Sequence, residues 1–338
     1  MSTNDTNTSS DYSVLYSIKF AVLIALEIPS ILVSLVIFAY FGSNRAAHLT
    51  TQNISILVLL LINFLQVTTD LPMPMSFFRL NGIVQPATSG YCTWWTFYEF
   101  SLNTINGFVM AWISIERYVF IFHSSFTRNL SIWKRRAFQI VPLTICSLWG
   151  PLYYFVTIII SPMCANTRYY DALLCGLPCY LLTIWGTFDL FCDVILPVLT
   201  IFIFNLILFI RAIYHTMIIR RRVQNNWRQH RKMALQLGLI SFVYLVVWVP
   251  LSIIQLGLNY IDPNFLATYL DTFNFLVYII PLILPMLCLM SMPDLIKQIK
   301  TRLLTCHSIT VVPMNDTKVQ RPIIDHRSGM TGSRQMQL

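Results

Sequence analysis

Charge is what this chain lacks. Only 11% of its 338 residues are Asp, Glu, Lys or Arg, while 56% are apolar, and the mean hydropathy is +0.64. A soluble domain carries about 25% charged residues, because its surface must be solvated. So few charges cannot cover a globule of this size, and the bilayer must supply much of the solvent. Cysteine is also sparse, at eight residues, which excludes a disulfide-built scaffold and makes the position of each one informative. The six histidines (His48, His123, His215, His230, His307 and His326) fall in or beside the polar connections, and no His-Glu-x-x-His occurs. No catalytic metal constellation is expected, nor any other intramembrane catalytic site. The net charge of +9 is split among hydrophobic runs rather than gathered on one face, which argues against nucleic acid.

What remains is apolar runs. A helix needs about 20 such residues to cross the hydrocarbon core. Seven runs qualify, near 17–41, 52–78, 92–122, 137–160, 181–213, 233–259 and 266–292. Backbone groups in lipid must be satisfied within the segment, so helices are expected throughout. Pro29, Pro72, Pro197, Pro250 and Pro285 lie inside these runs, where a bundle tolerates kinks. The fold class is therefore an all-α membrane protein, a bundle of seven spans over 17–292.

With the N-terminus outside, 20 of the 23 Lys and Arg residues lie on inner segments; Lys19, Arg79 and Arg168 are the other three. The positive-inside rule thus predicts an extracellular N-terminal segment, 1–16. The sequons at Asn4 and Asn7 agree with that side. No signal peptide is expected ahead of the first span. Residues 293–305 read as a short amphipathic eighth helix on the membrane surface, and 306–338 as a disordered, polar cytoplasmic tail.

Particular spacings narrow the class. Cys92 opens the third run, and Glu116-Arg117-Tyr118 closes it, about 37 Å further along a helix rising 1.5 Å per residue. The sixth run holds Trp248-x-Pro250, and the seventh ends with Pro285 ahead of the Pro293–Lys300 stretch. Together these features resemble the rhodopsin-like (class A) G-protein-coupled receptors, with this chain as a divergent member. The resemblance implies a multi-pass plasma-membrane receptor that is not an enzyme. It would bind an extracellular small molecule or peptide and activate a heterotrimeric G protein, with no cofactor.

The resemblance also assigns roles. Glu116, Arg117 and Tyr118 match the triplet in which the carboxylate holds the Arg at rest and the freed Arg meets the G protein. Trp248 matches the aromatic toggle beneath the ligand pocket; Pro250 and Pro285 match the sixth- and seventh-helix kinks. The family's bridge joins Cys92 to a cysteine of the second outer loop: Cys175 or Cys179, with Cys164 paired to the other. Cys306, at the end of the amphipathic helix, is a palmitoylation candidate. By spacing, Asn63 stands where the family has a sodium-binding Asp, and Leu284, Cys288 and Asn205 replace other motif residues. Retinal chemistry needs a seventh-helix Lys. The lysines are 19, 134, 232, 297, 300 and 318, so it is excluded.

Acids in the outer halves share one sign: Asp70, Glu99, Asp189 and Asp193, with Asp271 nearer the mouth. Ionisable residues at such depth default to functional hypotheses. Glu99 lies two turns after Cys92, at the family position that salt-bridges amines. Tyr98, Trp248 and Tyr278 supply rings for cation–π contact. The expectation is an acidic pocket for a cation, either a biogenic amine or a basic peptide; the alternative is carboxyls that hydrogen-bond within the bundle. A transporter or channel using these carboxylates is the competing class.

Overall fold

The computed structural model describes residues 5–43, 51–122, 131–160, 167–176, 178–218, 224–262, 265–290 and 296. Asn4, Cys164, Cys306, most of 293–305 and the 306–338 tail lie outside the described residues.

The described chain is helical. In order, the helices are α1 Asp5–Ser43, α2 Thr51–Leu65, α3 Pro72–Arg79, α4 Ser89–Phe122, α5 Ile132–Tyr154, α6 Ile184–Asp189, α7 Leu196–Ile218, α8 Gln224–Tyr260 and α9 Ala267–Met290. Among the described residues, six helical stretches are long and apolar enough to cross a membrane: 13–43, 54–79, 133–160, 184–211, 238–260 and 269–290. The helix that falls short of that composition is α4, although it is 34 residues long. Its position explains why. It packs against α2, α5, α7 and α8, so its polar residues meet protein rather than lipid. Thr96, Glu99, Ser101, Thr104, Asn106, Ser114, Glu116 and Arg117 are all buried.

Close approach to α4 depends on two glycines. A Cβ on Gly150 of α5 would sit 3.1–3.2 Å from Thr104 and the Ser101 carbonyl. One on Gly107 of α4 would sit 2.8 Å from the Tyr244 hydroxyl of α8.

Two prolines act through π-helical turns. Gln66–Asp70 is a π segment between α2 and α3, and Leu190–Ile195 is another between α6 and α7. Pro72 and Pro197 follow them. A proline removes one ladder donor and crowds the carbonyl four residues back; widening the preceding turn relieves that crowding. At the first site the amide of Leu71 reaches back to the Gln66 carbonyl (3.0 Å), and the Thr69 hydroxyl donates to the Leu65 carbonyl (2.6 Å). Asp70 and Asp193 both lie within these widened turns, so the distortion sets where two of the intramembrane acids point.

Candidate functional site

The structure joins Cys92 to Cys175. Cys179 is disulfide-bonded as well. The bridge brings the loop before α6 onto the end of the bundle where α4 begins. Leu174 and Cys175 take positive φ values and Gly176 follows at +85°, a tight turn that the glycine accommodates without strain. The Arg168 guanidinium donates to Thr93 Oγ1 (2.8 Å), and the Val84 amide donates to the Tyr170 carbonyl (2.8 Å). Cys175, Trp95, Leu71, Phe78 and Tyr278 form one buried apolar cluster, with Tyr170, Leu173 and Leu174 packed against it. The loop is thus a plug.

Beneath the plug lies the first acid pair. Glu99 is buried and accepts hydrogen bonds from Trp95 Nε1 (3.1 Å) and from the Tyr278 hydroxyl (2.7 Å). Asp70 is fully buried, within electrostatic reach of Glu99 and beside Gln66, yet neither carboxyl oxygen makes a hydrogen bond of ordinary geometry among the described residues. Asp271 is separate from this pair. It attracts Lys19, whose ammonium lies 5.5 Å and 5.4 Å from the ring centroids of Phe78 and Phe275.

The second acid pair sits elsewhere. Asp189 accepts from the hydroxyls of Tyr154 (2.6 Å) and Tyr180 (3.3 Å), and Asp193 accepts from Trp149 Nε1 (2.6 Å). Tyr154 is bonded in turn to Thr104 of α4 (3.0 Å). Spacing predicts that Asp189 and Asp193 share a face, and they do lie close enough to interact. That face meets aromatic donors of α5. The four acids therefore form two groups, one with Tyr278 and one with Trp149 and Tyr154.

The three rings expected around a cation are also dispersed. Tyr278 bonds Glu99, while Tyr98 stacks on the half-exposed Trp94 (5.4 Å, 16°) and pairs its hydroxyl with Thr69 (2.7 Å). Trp248 stacks on Tyr244 (5.6 Å, 25°) and lines a small central cavity with Asn63, Gln66, Asn103 and Asn106. There Gln66 Nε2 donates to Asn103 Oδ1 (2.9 Å), and Asn106 Nδ2 donates to Gln66 Oε1 (2.6 Å). This lining offers neutral amides and no carboxylate, so the charged ligand that the family's sodium-binding Asp would supply is missing there. This amide group was not singled out from the sequence. The signal for it was one buried-face spacing, Asn103 and Asn106 at i, i+3.

At the opposite end of α4 the triplet is built into the bundle. Glu116 Oε2 accepts from Ser55 Oγ of α2 (2.5 Å), which itself accepts from Gln139 Nε2 of α5 (3.1 Å). Arg117 is buried, with one guanidinium nitrogen lacking a hydrogen bond among the described residues, and it lies within electrostatic reach of Cys288 of α9. Tyr118 packs edge-on against Phe204 of α7 (5.5 Å), beneath the Arg211 guanidinium (5.6 Å). Asn205 Nδ2 donates to Ser114 Oγ (3.1 Å), tying α7 to α4. Pro250 lies inside α8, where the Ser252 hydroxyl donates to the Trp248 carbonyl (2.7 Å), and Pro285 lies inside α9.

One long central helix thus carries a buried acid under a disulfide-pinned plug at one end and a buried Glu116-Arg117 pair, followed by Tyr118, at the other. No curated protein matches the chain. The chain does match the 7 transmembrane receptor (rhodopsin family) over residues 33–288, well over half its length. With that match and the helical membrane bundle on which it falls, the protein belongs to the rhodopsin family of seven-transmembrane receptors.

Proposed function

We propose that the protein is a seven-span plasma-membrane receptor, with its N-terminus outside, that passes the binding of an extracellular cationic ligand to a heterotrimeric G protein. The ligand is a small amine or a basic peptide, and its cation is recognised by Glu99 and Asp70. The observation that carries this reading is the state of Asp70: a fully buried carboxyl, near a second one and beside Gln66, with no hydrogen bond of ordinary geometry among the described residues. Buried charges of one sign are costly and call for a positive partner. Lys19 is already drawn to Asp271.

On the inner face, Arg117 is the residue assigned to the G protein, with Glu116 and Tyr118 holding it. Trp248 and Pro250 of α8 and Pro285 of α9 lie between the two ends and carry the rearrangement. Asp189 and Asp193 hold the α6–α7 segment to α5 and contribute to the shape of the outer cavity. In population terms, the ligand favours a conformation whose inner face binds the G protein. The receptor acts without catalysing a reaction, and the family does not favour a transporter or channel.

The test is G-protein activation in cells expressing the full chain, screened against amines and basic peptides, beside Glu99→Gln at matched surface expression. The variant is expected to lose potency by a factor equivalent to about 2–5 kcal/mol, the cost of truncating one partner of a buried charge pair. An active ligand whose potency is unchanged in Glu99→Gln removes Glu99 from the site.

A further inference from the structure

Helices α5 and α7 each pack on α4, and between them a groove opens sideways from the bundle. Phe108 of α4 lies at one wall, with Ile145, Cys146 and Trp149 of α5 and Phe188, Cys192 and Leu196 of the α6–α7 segment around the rest; the cavity is about 290 Å³ and its walls are apolar. Ile145, Trp149, Phe188 and Leu196 are also partly exposed on the outer surface of the bundle, on two stretches that are long and apolar enough to span the membrane. The groove is separate from the Glu99 site.

We propose that this groove is a binding site for a single acyl chain of a bilayer phospholipid. Its surroundings dictate the source: the opening faces hydrocarbon, which presents acyl chains at very high local concentration. Water is a poor occupant, because a buried water needs two to four polar partners and the walls offer none. An empty groove would forfeit the dispersion contacts of every wall residue. Taking about 30 Å³ for a water-sized group, the volume suits roughly ten methylenes, a large part of one acyl chain.

The site has a route into the bundle. Trp149 forms part of the wall with its ring and donates its indole N–H to Asp193. Asp193 adjoins Asp189, which is bonded to Tyr154 and through it to Thr104 of α4. A chain packed against the Trp149 ring holds that N–H on its carboxylate and so supports the polar link among α4, α5 and the α6–α7 segment.

The experiment is photolabelling of the full chain in phosphatidylcholine nanodiscs containing a phosphatidylcholine with a diazirine midway along one acyl chain. Labelled peptides are mapped, and melting temperature is followed as lipid is exchanged for detergent. Labels are expected to concentrate on 145–149 and 188–196 over the exposed α1 residues Ile28 and Leu32. Filling the groove with Cys192→Phe, or from the opposite wall with Cys146→Phe, is expected to abolish groove labelling while leaving the α1 labels. The filled variant that folds is expected to lose less melting temperature on delipidation than the parent. The proposal is overturned by labels spread evenly over the lipid-facing surface, or by groove labels that survive both substitutions. It is equally overturned if a diazirine-bearing sterol labels the groove and displaces the phospholipid label.

Discussion

Single side chains carry the two ends of the account. At the outer end, Asp70 and Glu99 differ in how they are satisfied: Glu99 takes an indole N–H and a phenol O–H, while Asp70 takes neither kind of bond. Glu99 is thus held in place, and on the proposed reading the donor that Asp70 lacks is one that a ligand would bring. Tyr278→Phe tests the first half. It removes the hydroxyl but keeps the ring, and ligand potency should fall by a factor equivalent to about 0.5–1.5 kcal/mol, less than for Glu99→Gln. An equal or larger loss would make Tyr278 itself a principal ligand contact. At the inner end, the carboxylate of Glu116 is engaged by Ser55, which is held by Gln139. Ser55→Ala leaves that buried carboxylate short of a donor and loosens α4 from α2. Basal G-protein activation, read without ligand, is expected to rise; unchanged basal activity would mean that the Ser55 contact does not restrain the triplet.

Helices were legible in the sequence wherever the apolar run alone decided the matter. The runs near 17–41, 52–78, 137–160, 181–213, 233–259 and 266–292 each fall on described helical stretches. The run near 92–122 likewise falls on α4, although that helix is too polar to qualify as a span by composition. The π turns before Pro72 and Pro197 were not legible, since a proline signals a disturbance but not the form that relieves it. The division of the acids into two groups was equally hidden. Asp189 and Asp193 at i, i+4 define a face, but nothing in one helix says that Trp149 and Tyr154 of another will meet it. The pairing of Cys92 with Cys175 rather than Cys179 is a fact of the same kind. Helix packing makes its own prediction at Gly150, where any side chain meets Thr104 and the Ser101 carbonyl. Gly150→Val overpacks the α4–α5 contact and should cost about 1–3 kcal/mol, seen as a lower melting temperature of the purified receptor. An unchanged melting temperature would mean that the two helices are free to separate.

For the whole molecule, the claim is that the plugged acid site and the Arg117 end of α4 are two ends of one equilibrium. Linkage then requires reciprocity: a G protein that favours one conformation must raise ligand affinity by the same factor by which the ligand raises G-protein affinity. The central amide cavity between the two ends belongs to this scale too. With neutral Asn63, Gln66, Asn103 and Asn106 around it, ligand affinity should be the same in sodium and potassium chloride at equal ionic strength. A sodium-specific change in affinity would place a cation site in the bundle that these residues do not account for. The most direct measurement of the central claim is ligand affinity on nanodisc receptor with and without purified G protein, for the parent and for Arg117→Ala. Coupling free energies of this kind are typically about 1–3 kcal/mol, a shift of roughly 5–150-fold. Such a tightening is expected in the parent and none in Arg117→Ala, whose affinity without G protein stays at the parental value. A ligand affinity indifferent to G protein in the parent, or a full shift retained in Arg117→Ala, would contradict it.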